Sequence, residues 1–309
     1  MLLFAGIIDL EFAKMNYRVC AIILDYRAAS KTETCLKSLI GQGLATVYLV
    51  DNSASERAST DLLQAVDRLR PTIDFNIVTL NAGENLGFAK GVNLALRHDL
   101  RSPSPHDYYL LLNNDAVAGP SVVQGLVKAI ERDPRIALVS PRIVSNEPGR
   151  EYGIWYHRYL GLLLSNPGRL RFHYFTGCCL LFRNQLVDDK GLFDEAFFMY
   201  GEDAELAWRL TRQGKHMVCA EEVFVEHEYG PSVDRSSFFY EYHMARGHLL
   251  LSWKTLTHPA EIPFLILSKL IGLGGRALAR CCRYRTSSPF AAFFLAWLPT
   301  RRLKRYLSI

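Results

Sequence analysis

The chain has 309 residues, of which 49% are hydrophobic and 22% charged, so it is long enough to bury a full core and does not have the composition of a disordered protein. Its net charge of +5 is unevenly divided, because residues 262–309 contain nine basic residues and no Asp or Glu, which leaves −4 for residues 1–261. No nucleic-acid recognition motif accompanies the basic end. We therefore expect an anionic partner other than nucleic acid.

The cysteines and the N-terminus bear on the cellular compartment. Seven cysteines are scattered without a CxxC pair, and the apolar run at residues 1–8 leads into Asp9 and Glu11, unlike a secretory signal. Reduced thiols and a cytosolic location are predicted. The start is either Met1 or Met15, since the first predicted strand begins only near Arg18.

Short apolar runs alternate with helical patterns through the first half of the chain. Strands are predicted at 19–24, 47–50, 73–79, 108–112 and 136–140, and helices at 31–40, 56–69, 85–96 and 121–132. This alternation predicts an α/β fold with a mostly parallel sheet and right-handed crossovers. Ligands of such sheets collect beyond the carboxyl ends of the strands, where Asp25, Asp51 and Asp115 are placed.

The second half is less regular. Residues 145–174 are rich in Gly, Pro, Arg and aromatic residues, which indicates a variable loop over the sheet. A strand is predicted at 176–182, a helix beginning at Glu202, strand-like alternation at 216–226, and then a helix that contains Tyr240, Tyr242 and Arg246.

Two acidic clusters are the main candidates for chemistry. Glu202 and Asp203 open an amphipathic helix, where carboxylates are favoured by the helix dipole and the unpaired N–H groups, so an ordinary helix cap would also explain them. Asp115 follows Asn113 and Asn114 at the end of another predicted strand. It is suited to bind Mg²⁺ or Mn²⁺ together with diphosphate oxygens, although Asn-Asn-Asp is also a good turn sequence. A base at one cluster and a metal-type carboxylate at the other is the layout of an enzyme.

Several other polar residues fit either a binding role or a structural one. Asp51 either hydrogen-bonds a nucleoside or caps the next helix, and His227, between two acids, is a candidate second ligand for a diphosphate or metal. The glycines at 83, 87 and 91 are a weak dinucleotide fingerprint that close helix packing explains as well, while Lys90 is a candidate phosphate contact.

The ordered motifs resemble those of the family 2 glycosyltransferases, and in particular their rhamnosyltransferase-like branch. The resemblance covers about residues 18–250 and rests on five motifs, which are Asp51-Asn52-Ser53, Asn85-Leu86-Gly87-Phe88-Ala89, Leu112-Asn113-Asn114-Asp115, Phe193-Asp194-Glu195 through Glu202-Asp203, and His227 through Gly230 and Ser232. It implies a GT-A fold, a nucleotide-sugar donor, a Mg²⁺ or Mn²⁺ cofactor and inversion at the anomeric carbon.

The resemblance also assigns roles to residues. Asp203 matches the general base, with Glu202 beside it as the second catalytic candidate, and Asp115 and His227 form the expected metal site. The expected donor-binding residues are Asp25, Asp51, Asn85, Lys90, Asn113, Asn114 and His227.

Three positions depart from the family pattern. The chain has Asp25-Tyr26-Arg27 where the family often has Asn-Tyr-Asn, and Lys90 stands where a small residue is common. Asn113 replaces the first acid of the metal motif, which implies metal binding through one carboxylate.

The C-terminal segment predicts a membrane partner. We divide the chain into a catalytic domain at 1–261 and a tail at 262–309. Lys269, Arg276, Arg280 and Arg283 recur at helical spacing, which favours a basic amphipathic helix on an anionic membrane surface over a helix packed on the protein with its basic face exposed. A peripheral location on the cytoplasmic membrane face follows.

The resemblance favours dTDP-L-rhamnose as donor, with UDP-hexoses next, and a saccharide or polyprenyl-diphosphate-linked acceptor in bacterial surface polysaccharide assembly. A nucleotidyltransferase is disfavoured because residues 25–30 contain no glycine to hold a triphosphate. A non-catalytic carbohydrate- or membrane-binding homologue is disfavoured by the intact Asp115, Asp203 and His227.

Overall fold

A computed structural model describes residues 17–145, 151–227 and 236–298. These residues form the strands β1 (Val19–Asp25), β2 (Thr46–Asp51), β3 (Asn76–Asn81), β4 (Tyr108–Leu112), β5 (Ala116–Ala118), β6 (Ile136–Val144), β7 (Ile154–His157), β8 (Leu162–Leu164), β9 (Arg171–Tyr174), β10 (Cys179–Arg183) and β11 (His216–His227). The helices are α1 (Ala29–Ser38), α2 (Glu56–Leu69), α3 (Gly87–Leu100), α4 (Val122–Ile130), α5 (Glu202–Arg212), α6 (Phe238–Lys254), α7 (Ile262–Tyr284) and α8 (Ser288–Leu295).

Eight strands form one sheet in the order β3-β2-β1-β4-β10-β6-β11-β5. Strands β3, β2, β1 and β4 are parallel, as are β6 and β11, while β10 runs antiparallel to both of its neighbours. The predicted α/β fold with a mostly parallel sheet is therefore confirmed. In the register of β1 and β2, Asp25 lies opposite Asp51, so the strand ends deliver their acids to one edge.

The apolar runs in the sequence are explained by burial on both faces of this sheet. Along β1, Ala21 and Ile23 contribute to one core cluster with helices α1, α2 and α4, and Cys20 and Ile22 to the opposite cluster with α3 and α5. All four side chains are fully buried. Each fully buried large apolar side chain stabilises the fold by about 1.5–3 kcal/mol. A strand covered on both faces buries every side chain, so its sequence is a continuous apolar run.

The predicted loop at 145–174 is wrong. The described part of this segment contains β7, β8 and β9, which form a separate three-stranded antiparallel sheet in the order β8-β7-β9. Its inward side chains alternate along β7 and β9, which contribute Ile154, Tyr156, Phe172 and Tyr174 to a core cluster. The same cluster contains Phe197 of the loop before α5, Ala204 and Ala207 of α5, and Leu251 of α6. The strands are three or four residues long, too short for alternation to stand out among Gly, Pro and Arg.

Up to residue 298 the C-terminal segment contains the helices α7 and α8, as predicted, but α7 is turned the opposite way from the expectation. Lys269 is 1% exposed, and its Nζ donates to the Arg158 carbonyl at 3.0 Å. Burial lowers the pKa of Lys269 to about 7. Arg276 and Arg280 face α6 and bond to Glu241, so Arg283 alone of the four predicted basic residues is exposed.

The outer face of α7 is apolar instead. Phe264, Leu267, Ile271 and Leu278 are each 55–68% exposed. By length and composition, the helical segment Pro259–Tyr284 is the one candidate membrane span among the described residues. The predicted basic residues Arg301, Arg302, Lys304 and Arg305 lie outside those residues.

Candidate active site

A cleft of about 690 Å³ opens where the carboxyl ends of the central strands meet α5, α6 and α7. Most of the predicted chemistry-bearing side chains line it: Asn113, Asp115, Glu202, Asp203 and His227. The two acidic clusters, 87 residues apart in sequence when counted from Asp115 to Glu202, therefore share one space.

The turn before α5 directs Glu202 and Asp203 into the cleft. Tyr200 and Gly201 both have positive φ, +68° and +102°, and such a conformation at a bulky residue such as Tyr200 is held only by its surroundings. Helix α6 supplies that support through Gly247, since a Cβ added there would lie 2.2 Å from the Tyr200 carbonyl oxygen. The missing side chain of Gly247 lets α6 press directly against the turn.

The loop that leads into this turn is fastened to α3. Asn93 is fully buried, and its Oδ1 accepts from the backbone N–H groups of Leu192 and Phe193 at 2.9 and 3.1 Å. The N–H of Phe88 donates to the Phe198 carbonyl at 2.7 Å. Because α3 and α6 both hold this part of the chain, the two carboxylates at its end have a defined position.

The two carboxylates differ in their surroundings. Asp203 Oδ1 accepts from the Ala204 N–H at 2.8 Å, and Oδ2 accepts from the Gly177 N–H at 3.2 Å. Glu202 is 6% exposed, and its Oε2 has no hydrogen-bond partner within the described part of the chain. Burial raises the pKa of Asp203, against the effect of its backbone hydrogen bonds, and burial together with the charge of Asp203 raises the pKa of Glu202. Of the two, Asp203 is the partly exposed one that a substrate can reach.

Asp115 and His227 form the second half of the site. Asp115 lies between β4 and β5, His227 ends β11, and the His227 Nε2 and Asp115 Oδ1 are 3.1 Å apart. Burial alone would raise the pKa of Asp115, but the hydrogen bond and charge of His227 outweigh it and lower the pKa. Asp115 is therefore ionised near neutral pH.

Asp25, Asp51 and Asn114 lie at the ends of the strands but are not among the residues that line the cleft. Asp25 is fully buried and accepts from Thr32 Oγ1 at 2.5 Å and from Asn114 Nδ2 at 3.3 Å. Asp51 accepts from the Ser53 N–H at 3.0 Å and from the Ser59 hydroxyl of α2. These bonds anchor the first turns of α1 and α2, and the donor-binding role of the three residues stays a prediction.

Asn85 and Lys90 line a different pocket. This smaller space, of about 260 Å³, also contains Glu195, His243 and Arg246 and shares only Met199 and Gly247 with the cleft. The glycines near Lys90 have separate roles. Gly91 lets α3 approach β1, since a Cβ there would lie 2.6 Å from Leu24 Cδ2, and a Cβ on Gly87 would lie 2.3 Å from the Phe198 carbonyl oxygen. Gly83 has open space around it and a positive φ of +72°, which fits a turn.

Several residues that line the cleft escaped the sequence analysis. Tyr156 comes from the unpredicted small sheet, His248 from α6, and Arg276 and Arg280 from α7. The sequence shows the helical spacing of the two arginines. Whether that face of α7 points into the protein or into solvent depends on the buried Glu241, 35 residues upstream of Arg276. No local pattern reports such a pairing.

Comparison with known proteins adds a family match. The model of the family described as "Glycosyl transferase family 2" matches residues 20–190, which is more than half of the chain. A hexosyltransferase of low-salt glycan biosynthesis, Agl10 of Haloferax volcanii, is 27% identical over 62% of this chain and 61% of its own length. An N-acetylglucosaminyl-diphospho-decaprenol L-rhamnosyltransferase of Mycobacterium tuberculosis is 28% identical over 62% of this chain and 70% of its own. The chain thus spans about three fifths of the archaeal relative.

Solved structures share the architecture. The mannosyltransferase PcManGT of Pyrobaculum calidifontis, solved with GDP-Man and Mn²⁺, has a TM-score of 0.53 at 17% identity and covers 96% of this chain and 93% of its own. GalNAc-T7, solved with UDP, GalNAc and Mn²⁺, has a TM-score of 0.56 at 13% identity over 70% of this chain and 44% of its own. At these identities the likeness concerns the fold, which is the predicted GT-A fold.

Proposed function

Since this chain belongs to glycosyl transferase family 2, we propose that it is an inverting glycosyltransferase that moves L-rhamnose from dTDP-L-rhamnose to a saccharide or polyprenyl-diphosphate-linked acceptor. The observation that carries the proposal is the cleft that brings Asp203 together with the Asp115–His227 pair. The mycobacterial relative, whose name states an L-rhamnosyl transfer to a diphospho-decaprenol-linked sugar, supports the choice of donor and acceptor. Assembly of a bacterial surface polysaccharide is the corresponding process.

In this mechanism Asp203 is the general base. Its carboxylate takes the proton of an acceptor hydroxyl while that oxygen attacks the anomeric carbon from the face opposite the diphosphate. The bond between the anomeric carbon and the diphosphate oxygen breaks, and the nucleoside diphosphate leaves with the electron pair. Burial, by raising the pKa of Asp203, makes it a stronger proton acceptor than an ordinary aspartate. Burial and the charge of Asp203 raise the pKa of the neighbouring Glu202, which favours its neutral form.

Asp115 and His227 are the residues suited to hold Mg²⁺ or Mn²⁺. One carboxylate and one imidazole on strand ends fit an ion whose remaining ligands are diphosphate oxygens and water, and the imidazole favours Mn²⁺. No group of three or more metal-ligating side chains occurs within 17–145, 151–227 and 236–298, which agrees with a site completed by the donor. When bound, the ion would offset the negative charge of the departing nucleoside diphosphate.

The nucleotide of the donor is identified by thermal stabilisation of the protein with dTDP, UDP and GDP, each with and without Mn²⁺ or Mg²⁺. A ligand at about 100 times its Kd stabilises the folded state by about 2.7 kcal/mol. For a chain of this size the melting temperature should rise by roughly 5 °C. We expect the largest rise with dTDP and metal. A rise with UDP alone would assign the enzyme to the UDP-hexose-dependent class, and no rise with any nucleotide would contradict the transferase proposal in favour of a non-catalytic homologue.

A peripheral location on the cytoplasmic membrane face belongs to the same proposal. Its support is the exposed apolar face of α7, continued by Phe290 and Phe294 of α8, and the basic sequence that follows residue 300. Apolar side chains would enter the lipid while the basic residues contact anionic headgroups. The domain boundary between 261 and 262 remains a proposal, since α7 also lines the cleft.

Membrane binding is tested on Leu267 and Ile271, which are 55% and 68% exposed and lie outside the core. Replacing both by Ser should reduce binding to vesicles of phosphatidylcholine and phosphatidylglycerol by about tenfold or more, because two large apolar side chains no longer leave water. Leu63→Ser, at an exposed leucine of α2, is the matched control. Equal flotation of all three proteins with vesicles would remove the membrane proposal.

A further inference from the structure

Helix α7 has two faces with different chemistry. Its outer face is the apolar surface formed by Phe264, Leu267, Ile271 and Leu278. On its inner side, Arg276 and Arg280, one helical turn apart, line the cleft that contains Asp203 and Asp115. The same helix therefore joins an apolar exterior to a cationic patch inside the cleft.

The two arginines are held in place by α6. Glu241 is 2% exposed, and its Oε2 accepts from Arg276 Nη1 at 3.2 Å while Oε1 accepts from Arg280 Nε. The Arg280 guanidinium also lies 5.5 Å from the ring centre of Tyr240 and 4.9 Å from that of Tyr284. Arg276 remains 29% exposed at the cleft. Guanidinium groups carry five N–H donors in a planar fork, which matches phosphate oxygens, and here they are oriented before any ligand binds.

The two arginines and the predicted donor site lie on different elements around the same cleft. The donor diphosphate is assigned to Asp115 and His227, which are placed by strands of the main sheet. Arg276 and Arg280 are placed by the helix whose other face is apolar. A ligand that meets both faces of α7 must combine a phosphate group with a hydrophobic chain.

We propose that Arg276 and Arg280 bind the diphosphate of a lipid-linked acceptor, whose hydrocarbon chain lies along the apolar face of α7 while its sugar reaches Asp203. The inference rests on the proposed transferase function and adds the site and residues that recognise the acceptor. Glu241 is a positioning residue, because it orients both guanidinium groups.

The test measures binding of farnesyl diphosphate in neutral detergent micelles to the full chain, beside binding of the nucleotide that stabilises it, with inorganic pyrophosphate as a third ligand. Arg276→Gln and Arg280→Gln should each weaken farnesyl diphosphate binding by about tenfold or more and leave nucleotide binding unchanged. Arg283→Gln removes the same charge from an exposed position of the same helix and should leave both unchanged. Pyrophosphate should bind more weakly than farnesyl diphosphate, since it lacks the chain.

A second variant guards against misfolding, because removing an arginine deprives the buried Glu241 of a partner. Glu241→Gln with Arg276→Gln removes the charge from both, and it should melt near the wild-type temperature and still lose farnesyl diphosphate. Weakened nucleotide binding with normal farnesyl diphosphate binding would assign the arginines to the donor and overturn the inference. Nucleotide binding without any farnesyl diphosphate binding in the wild type would overturn it while the proposed function stands. Failure of both ligands would overturn both.

Discussion

Asp203→Asn should lower kcat by about 10²–10⁴-fold while the Kd for the nucleotide stays within about twofold, since general-base catalysis typically contributes that factor. The amide keeps the size of the side chain and can still accept the Gly177 N–H through its oxygen, but it takes up no proton. Single-turnover transfer and nucleotide titration on the same preparation measure the two quantities. The direction of the pH dependence follows from the raised pKa: activity should fall as the pH drops through it, at a higher pH than for an exposed aspartate.

Glu202→Gln separates the two neighbouring acids. Glu202 is buried, and its raised pKa favours its neutral form, so this variant should retain most of the activity. The acid limb of the pH profile should stay close to that of the wild type, because burial and not the charge of Glu202 raises the pKa of Asp203. Asp189→Asn, at an exposed loop position, controls for the loss of a charge. If Glu202→Gln loses activity by about 100-fold or more while Asp203→Asn stays active, Glu202 and not Asp203 is the base.

Asp115→Ala should abolish the metal-dependent part of nucleotide stabilisation and lower the transfer rate by about 100-fold or more. A metal at a departing diphosphate contributes several kcal/mol, and about 1.4 kcal/mol corresponds to a factor of ten. Asp115 supplies the only carboxylate of the proposed metal site, so its loss leaves His227 alone. Melting curves with and without Mn²⁺ give a readout that does not depend on activity.

Asp133→Asn is the matched control, since Asp133 pairs with the exposed Arg135 away from the cleft. His227→Ala should give a smaller loss than Asp115→Ala, because the carboxylate remains as a ligand. Metal-dependent stabilisation that survives intact in Asp115→Ala would show that the ion is held elsewhere.

The parts of the fold that follow from local patterns could be predicted from the sequence. Strand β4 and helix α2 begin and end at the predicted residues, because a run of five buried strand residues and a strongly amphipathic helix leave little ambiguity. The gathering of Asp25, Asp51 and Asp115 near one edge follows from parallel strands alone. A fold with a mostly parallel sheet thus already places the candidate site.

Tertiary contacts determine the small sheet and the orientation of α7, which local sequence patterns do not indicate. Strands β7 to β9 become strands because Tyr156 and Phe172 find an apolar surface on α5 and α6, which no local window shows. The sequence predicts Lys269 as an exposed base, yet the Arg158 carbonyl, directly after β7, and the ring of Tyr156 enclose it. The inward turn of Arg276 and Arg280 likewise depends on a single distant carboxylate, Glu241.

The most direct test of the central claim is to incubate the protein with dTDP-L-rhamnose, Mn²⁺ and N-acetylglucosaminyl-diphospho-polyprenol and to determine the anomeric configuration of the product by NMR. We expect a rhamnoside whose anomeric configuration is opposite to that of the donor, formed by the wild type and not by Asp203→Asn. A product that retains the donor configuration would contradict direct displacement with Asp203 as base. Absence of transfer from dTDP-, UDP- and GDP-sugars alike would contradict the assignment of this cleft to glycosyl transfer.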